Sequence, residues 1–79
     1  MVIEVAVFAT LRRYMPDLKL GGARQLEVEP GTTLGEISDI LGLPRDEVKI
    51  IMRNHLHAER EDLANEGDRV VYIPAVAGG

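Results

Sequence analysis

Apolar and polar positions alternate with a period of two from Val2 to Phe8, where Ile3, Val5 and Val7 fall on one side and Glu4 and Ala6 on the other. A strand repeats its side-chain direction every second residue, so this segment predicts a strand with one well-buried face. The same period returns at Arg24 to Glu29, with Leu26 and Val28 opposite Gln25, Glu27 and Glu29, and Pro30-Gly31 closes it. The two strands are expected to form a hairpin. Their connection, Ala9 to Ala23, carries Pro16 and Gly21-Gly22 but also Leu11, Tyr14, Leu18 and Leu20. It should pack partly onto the body and hold a helical turn before Pro16.

At Thr33-Leu34-Gly35-Glu36 the period changes. Thr and Glu three positions apart form a capping box, each side chain satisfying a free backbone N–H at a helix start. Leu34, Ile37 and Leu41 follow at helical spacing with Ile40 beside them, and Gly42 with Pro44 supplies a stop, so a helix near ten residues long is expected to cover one sheet face. Val48, Ile50 and Met52 alternate with Lys49 and Arg53 in a third strand, closed by a turn at Asn54-His55. Leu56 to Asp68 reads as irregular. The apolar run from Arg69 to Ile73 predicts a last strand inside the sheet, ended by Pro74. The order strand, strand, helix, strand, irregular segment, strand indicates an α+β domain, with one principal helix across a mixed sheet in the β-grasp (ubiquitin-like) arrangement. Residues 1–73 form that domain and residues 74–79 a flexible tail.

With 79 residues, the chain has little room for an enclosed active site. Apolar residues at 46% and charged residues at 28% fit an ordinary globular domain. Cysteine is absent, which excludes disulfides, thiolate metal sites and a cysteine nucleophile. Thirteen acidic against nine basic residues give a net charge of -4, which disfavours phosphate backbones and hence nucleic acid. No apolar run is long enough for a bilayer, and the charges at the start follow the apolar stretch, the reverse of a signal peptide. No membrane partner and a cytoplasmic location are therefore expected.

Pro74-Ala75-Val76-Ala77-Gly78-Gly79 departs from globular patterning. Six extended residues reach roughly 20 Å. Pro74 offers no N–H, Ala75, Val76 and Ala77 are narrow, and Gly78 and Gly79 have no side chain to obstruct a confined channel. The chemical group this presents is the Gly79 carboxylate. A carboxylate repels nucleophiles, so a partner must first convert it to an acyl adenylate with ATP and magnesium. Sulfur can then attack a carbonyl that has no Cβ beside it.

The segments VFATLRRYMP at the start, PGTTLGEI in the middle and EGDRVVYIPAVAGG at the end resemble the MoaD/ThiS family of ubiquitin-like sulfur carriers, over essentially the whole chain. Phe8-Ala9-Thr10-Leu11-Arg12 is similar to the MoaD branch, the small subunit of molybdopterin synthase. The resemblance implies that an adenylating enzyme of ubiquitin-activating type loads Gly79 as a thiocarboxylate. It also implies a large synthase subunit that accepts the tail and passes sulfur to a pterin precursor in molybdenum or tungsten cofactor biosynthesis. The chain itself would bind no cofactor and catalyse nothing alone. A thiamine-type carrier, a ubiquitin-like modifier joined through Gly79 and a β-grasp interaction module remain alternatives. A free-standing enzyme is disfavoured, because no nucleophile-base pair or Gly-rich phosphate loop is present.

Phe8, Leu11, Ile51 and Val71 are candidates for an apolar partner patch on the sheet face opposite the helix, with Arg12-Arg13 and Arg53 as candidate contacts for an acidic partner. His55, His57 and Glu59 would share one side of an extended segment, but solvated side chains around a turn explain them as well, with Arg53 and Arg60 adding positive charge nearby. No metal site is expected.

Overall fold

The computed structural model describes residues 1–18 and 22–75. Strand β1, Val2–Val7, pairs antiparallel with β2, Arg24–Glu27, placing Ile3 opposite Leu26 and Val5 opposite Arg24. The expected hairpin is present, with β2 ending short of Glu29. The expected helical turn is a 3₁₀ helix over Ala9–Tyr14, seated on the core by buried Leu11, with Met15 buried just after it. Leu20 and Gly21 lie outside the described residues.

Helix α1 spans Leu34–Ile40. Thr33 Oγ1 accepts from the Glu36 amide at 3.1 Å, and Glu36 Oε1 accepts from the Thr33 amide at 2.9 Å. Both halves of the capping box therefore form. The remaining N-terminal donors are met from outside the helix: Leu34 N–H donates to Asp62 O and Gly35 N–H to Arg60 O, each at 2.9 Å. At the other end the Leu43 amide reaches back to Ser38 O and the Gly42 amide to Asp39 O, both at 3.0 Å. Gly42 takes the left-handed conformation this closure needs, at φ +78°. That closure makes the helix shorter than the sequence period suggests.

After a short 3₁₀ helix at Arg45–Glu47, β3 runs Val48–Arg53, β4 Leu56–Ala58 and β5 Arg69–Pro74. The sheet order is β2-β1-β5-β3-β4, with β5 parallel to β1 and antiparallel to β3. The last strand is thus interior, as its apolar run predicted. Two readings need correction. The segment after residue 55 is not wholly irregular: Leu56–Ala58 pairs with β3 across Asn54-His55, where both residues adopt positive φ, +51° and +72°. That is the backbone of a tight hairpin turn whose twist matches the strands. In β3 the core-facing residue is Ile51, not Ile50 or Met52. The register against β5 shifts by one residue between Val48 and Ile50, a β-bulge that reverses the alternation beyond it.

Ile3, Val5 and Val7 of β1, Val70 and Tyr72 of β5, Ile51 of β3 and Leu34 and Ile37 of α1 make one core between sheet and helix. Tyr72 has no solvent exposure, and its hydroxyl donates to Leu34 O at 2.6 Å, tying β5 to the first turn of α1.

Candidate functional site

The last described residue, Ala75, follows directly on β5, an interior strand of the sheet. Val7 stands opposite Tyr72 on one side and Ile51 on the other, and the Phe8 amide donates to Tyr72 O at 3.1 Å. Pro74 was read as the first tail residue, but it is buried and closes β5 opposite Val48. At the end of the ladder its missing N–H costs no interior bond. Ala75 is exposed and is where the chain departs. Val76, Ala77, Gly78 and Gly79 lie outside the described residues.

The face turned away from α1 can be read from the pairing. Ala6, Val71, Met52 and His57 form one row across β1, β5, β3 and β4, and Ile73 and Ile50 form the next row toward the tail. Phe8, 48% exposed, stands at the end of β1. Phe8, Met52, His55, Arg69, Val71 and Ile73 line a shallow depression of about 260 Å³. Arg69 pairs with Glu4 at 3.3 Å on this face, a solvated contact that fixes geometry more than it stabilises. Directly after Phe8, Ala9 holds φ +52°. That conformation is costly for a residue with a Cβ, and here it turns the chain from β1 into the 3₁₀ helix that packs against β5.

Of the candidate patch, Phe8 and Val71 lie on this face. Leu11, at 0% exposure, and Ile51, at 5%, do not; both are core residues. Leu11 is drawn inward by the 3₁₀ helix, and the bulge in β3 turns Ile51 toward α1. Arg12 Nη2 donates to Leu18 O at 3.5 Å, bracing the first connection. Arg53 stands opposite buried Val70 and donates to Leu63 O at 2.6 Å, with Asp68 at 3.9 Å, so its charge is engaged within the fold. Arg13 pairs with Glu47 at 2.8 Å and lies over the Tyr14 ring. Ile50, Met52, Ile73 and Arg69 also lie on this face and were not among the candidates for it. The four consecutive apolar residues Val70 to Ile73 were the available signal, since a strand apolar on both faces needs a cover on each. Among the described residues no group of three or more His, Asp or Glu side chains converges on a metal position.

The model of the ThiS family matches residues 5–79. The chain belongs to the ThiS family. No curated protein matches it. Three solved structures show how the ThiS-family fold is shared. SAMP1 from Haloferax volcanii is 20% identical with a TM-score of 0.76, covering 100% of both chains. A putative molybdopterin converting factor subunit 1 from Pyrococcus furiosus is 17% identical with a TM-score of 0.74, covering 96% of this chain and 99% of that one. A chain of the complex of subunits 1 and 2 of molybdopterin-converting factor from Helicobacter pylori is 20% identical with a TM-score of 0.63, covering 100% of both. These similarities establish the ubiquitin-like β-grasp fold. Among the described residues no helix is long and apolar enough to cross a membrane.

Proposed function

We propose that the chain is a sulfur carrier whose working group is the Gly79 carboxylate. The observation that carries this reading is a family match that runs to Gly79 itself, on a chain whose last strand is interior and ends at a defined exit. An adenylating partner of ubiquitin-activating type brings ATP and magnesium. A carboxylate oxygen attacks the α-phosphorus and pyrophosphate leaves. A sulfide equivalent then attacks the acyl carbon and AMP leaves, giving a thiocarboxylate. The domain supplies a rigid exit and a docking face and binds no cofactor of its own. Catalysis lies with its partners, in the cytoplasm.

The favoured acceptor is a pterin precursor, with the chain acting as the small subunit of a molybdopterin-synthase-type complex. Two structural neighbours are molybdopterin-converting factor subunits, one of them in complex with subunit 2. In this reading the outer-face depression between Phe8 and Ile73 docks the large subunit, while Ala75 to Gly79 enter its channel. A second reading has support in the likeness to small archaeal modifier protein 1: the same adenylate would be passed to lysines of target proteins.

ATP–pyrophosphate exchange catalysed by a candidate adenylating enzyme tests the shared first step. Full-length chain should support exchange and a Gly79 deletion should not, while both bind the enzyme through the outer face. Equal exchange by the deletion would overturn the assignment of Gly79. Thiocarboxylate without conjugates favours the carrier, and conjugates favour the modifier.

A further inference from the structure

A second surface lies along the free edge of β2, two strands from β5. Met1 and Val28 exchange hydrogen bonds, with the Met1 amine donating to Val28 O at 2.9 Å and the Val28 amide to Met1 O at 2.8 Å. Antiparallel alternation then directs the backbone groups of Leu26 at β1 and turns those of Gln25 and Glu27 away from it. The residues opposite agree. Val2 O accepts from Gly67 and the Glu4 amide donates to Asp68 O, both at 2.8 Å and both on the far side of β1. Among the described residues no strand pairs with the outer edge of β2. Such an edge is a template for an added strand.

Beside this edge is a depression of about 520 Å³ lined by Met1, Glu27, Val28, Glu29, Thr32 and Ile40. Met1, Val28 and Ile40 are its apolar side chains. Ile40 is the last residue of α1 and remains 63% exposed, so its side chain adds little to the core. The rim carries the exposed carboxylates of Glu27 and Glu29. The positive group among the lining residues, the Met1 amine, is turned onto Val28 O. An incoming segment therefore meets unpaired backbone groups, the exposed side chain of Ile40 and negative charge together.

We propose that this edge and groove bind an extended segment of a partner protein. The segment adds as a strand beside Gln25 and Glu27, places one aliphatic side chain between Val28 and Ile40, and sets Lys or Arg against Glu27 and Glu29. The position makes it independent of the tail. Glu27 stands opposite Val2 at the start of β1, whereas Tyr72 stands opposite Val7 at its end, about 17 Å away at about 3.3 Å per strand residue. A partner held here leaves the outer face and Ala75 uncovered, so the chain can be tethered and loaded at once.

The test is a titration of the ¹⁵N-labelled full chain with the capped peptide Lys-Lys-Val-Ile-Val-Lys-Lys, against Glu-Glu-Val-Ile-Val-Glu-Glu and Lys-Lys-Val-Pro-Val-Lys-Lys. The readout does not involve the tail, so it stands or falls separately from sulfur chemistry. The basic peptide should shift the amides of Gln25, Glu27, Val28 and Ile40 and slow hydrogen exchange at Gln25 and Glu27. The acidic and proline peptides should bind at least tenfold more weakly. Ile40→Ser, at an exposed position and with an unchanged spectrum elsewhere, should also lose at least tenfold, and Glu27→Gln with Glu29→Gln should flatten the salt dependence. Any of four results overturns the proposal: no binding, equal binding of the acidic peptide, shifts confined to Phe8, Met52, Val71 and Ile73, or unchanged affinity in Ile40→Ser. Concentration-dependent shifts at the same amides without peptide would place a second copy of this chain there and overturn it too.

Discussion

Replacing Tyr72 by Phe removes one hydroxyl and leaves the packing of the ring intact. The lost contact is the 2.6 Å hydrogen bond to Leu34 O, made where Tyr72 has no solvent exposure. Such a bond is worth about 1 kcal/mol net. With 79 residues and an unfolding entropy near 2.1 cal/mol/K per residue, that lowers Tm by about 6 °C at neutral pH. The same hydroxyl gives the wild type a pH dependence the variant lacks. Burial pushes the Tyr72 phenol above its ordinary value, the Asp39 charge adds to the rise and Arg60 opposes it. Between the unfolded value near 10 and the raised folded one, the native state keeps a proton that the unfolded chain gives up. Wild-type stability from this group is therefore complete below about pH 10 and falls above it by up to about 1.4 kcal/mol per pH unit. The deficit of Tyr72→Phe should shrink as pH rises and be gone by about pH 11. Urea or thermal unfolding of both proteins from pH 7 to 11 measures this directly. A deficit that stays constant or widens would refute the buried, bonded Tyr72.

Four further substitutions test the architecture by chemical denaturation. Ile51→Ala should cost about 2–5 kcal/mol and Ile50→Ala less than about 1 kcal/mol, because the bulge sends only Ile51 into the core; equal costs would remove the bulge. Thr33→Ala takes away the cap acceptor for the Glu36 amide and should cost about 0.5–2 kcal/mol. His55→Gly should stabilise by about 1 kcal/mol, since His55 holds φ +72°; destabilisation would show that its side chain carries the turn instead.

The elements set by local chemistry were readable in the sequence. Thr33 and Glu36 announced the start of the helix, Gly42 its end, and Asn54-His55 the turn between β3 and β4. The interior position of β5 followed from an apolar run without polar alternation. What the sequence hid depends on long-range register. One extra residue between Val48 and Ile50 reversed β3, and nothing in VKIIMR announces it, because two adjacent isoleucines satisfy either phase. β4 was missed because Leu56, His57 and Ala58 have no strong β pattern and are ordered by pairing with β3. For the proposed site, the composition of the terminal residues was the signal for the tail, whereas the outer sheet face carries Met52 and Ile73 and not the core residues Leu11 and Ile51. Facing direction in a sheet is fixed by pairing, not by hydrophobicity.

Acidification gives a smaller effect of known sign. The Glu36 carboxyl is held below its ordinary value chiefly by the Thr33 backbone N–H and then by its side chain. The help it gives the helix is thus present at neutral pH and lost as pH falls through the carboxylate range.

The central claim concerns the terminus, and intact-protein mass spectrometry reads it directly. The full chain, incubated with ATP, magnesium, a sulfide source and a candidate adenylating enzyme, should gain the mass of one sulfur in place of one oxygen, and a Gly79 deletion should gain nothing. The same gain in the deletion, or an unchanged mass with every activating partner that binds the chain, would contradict the account.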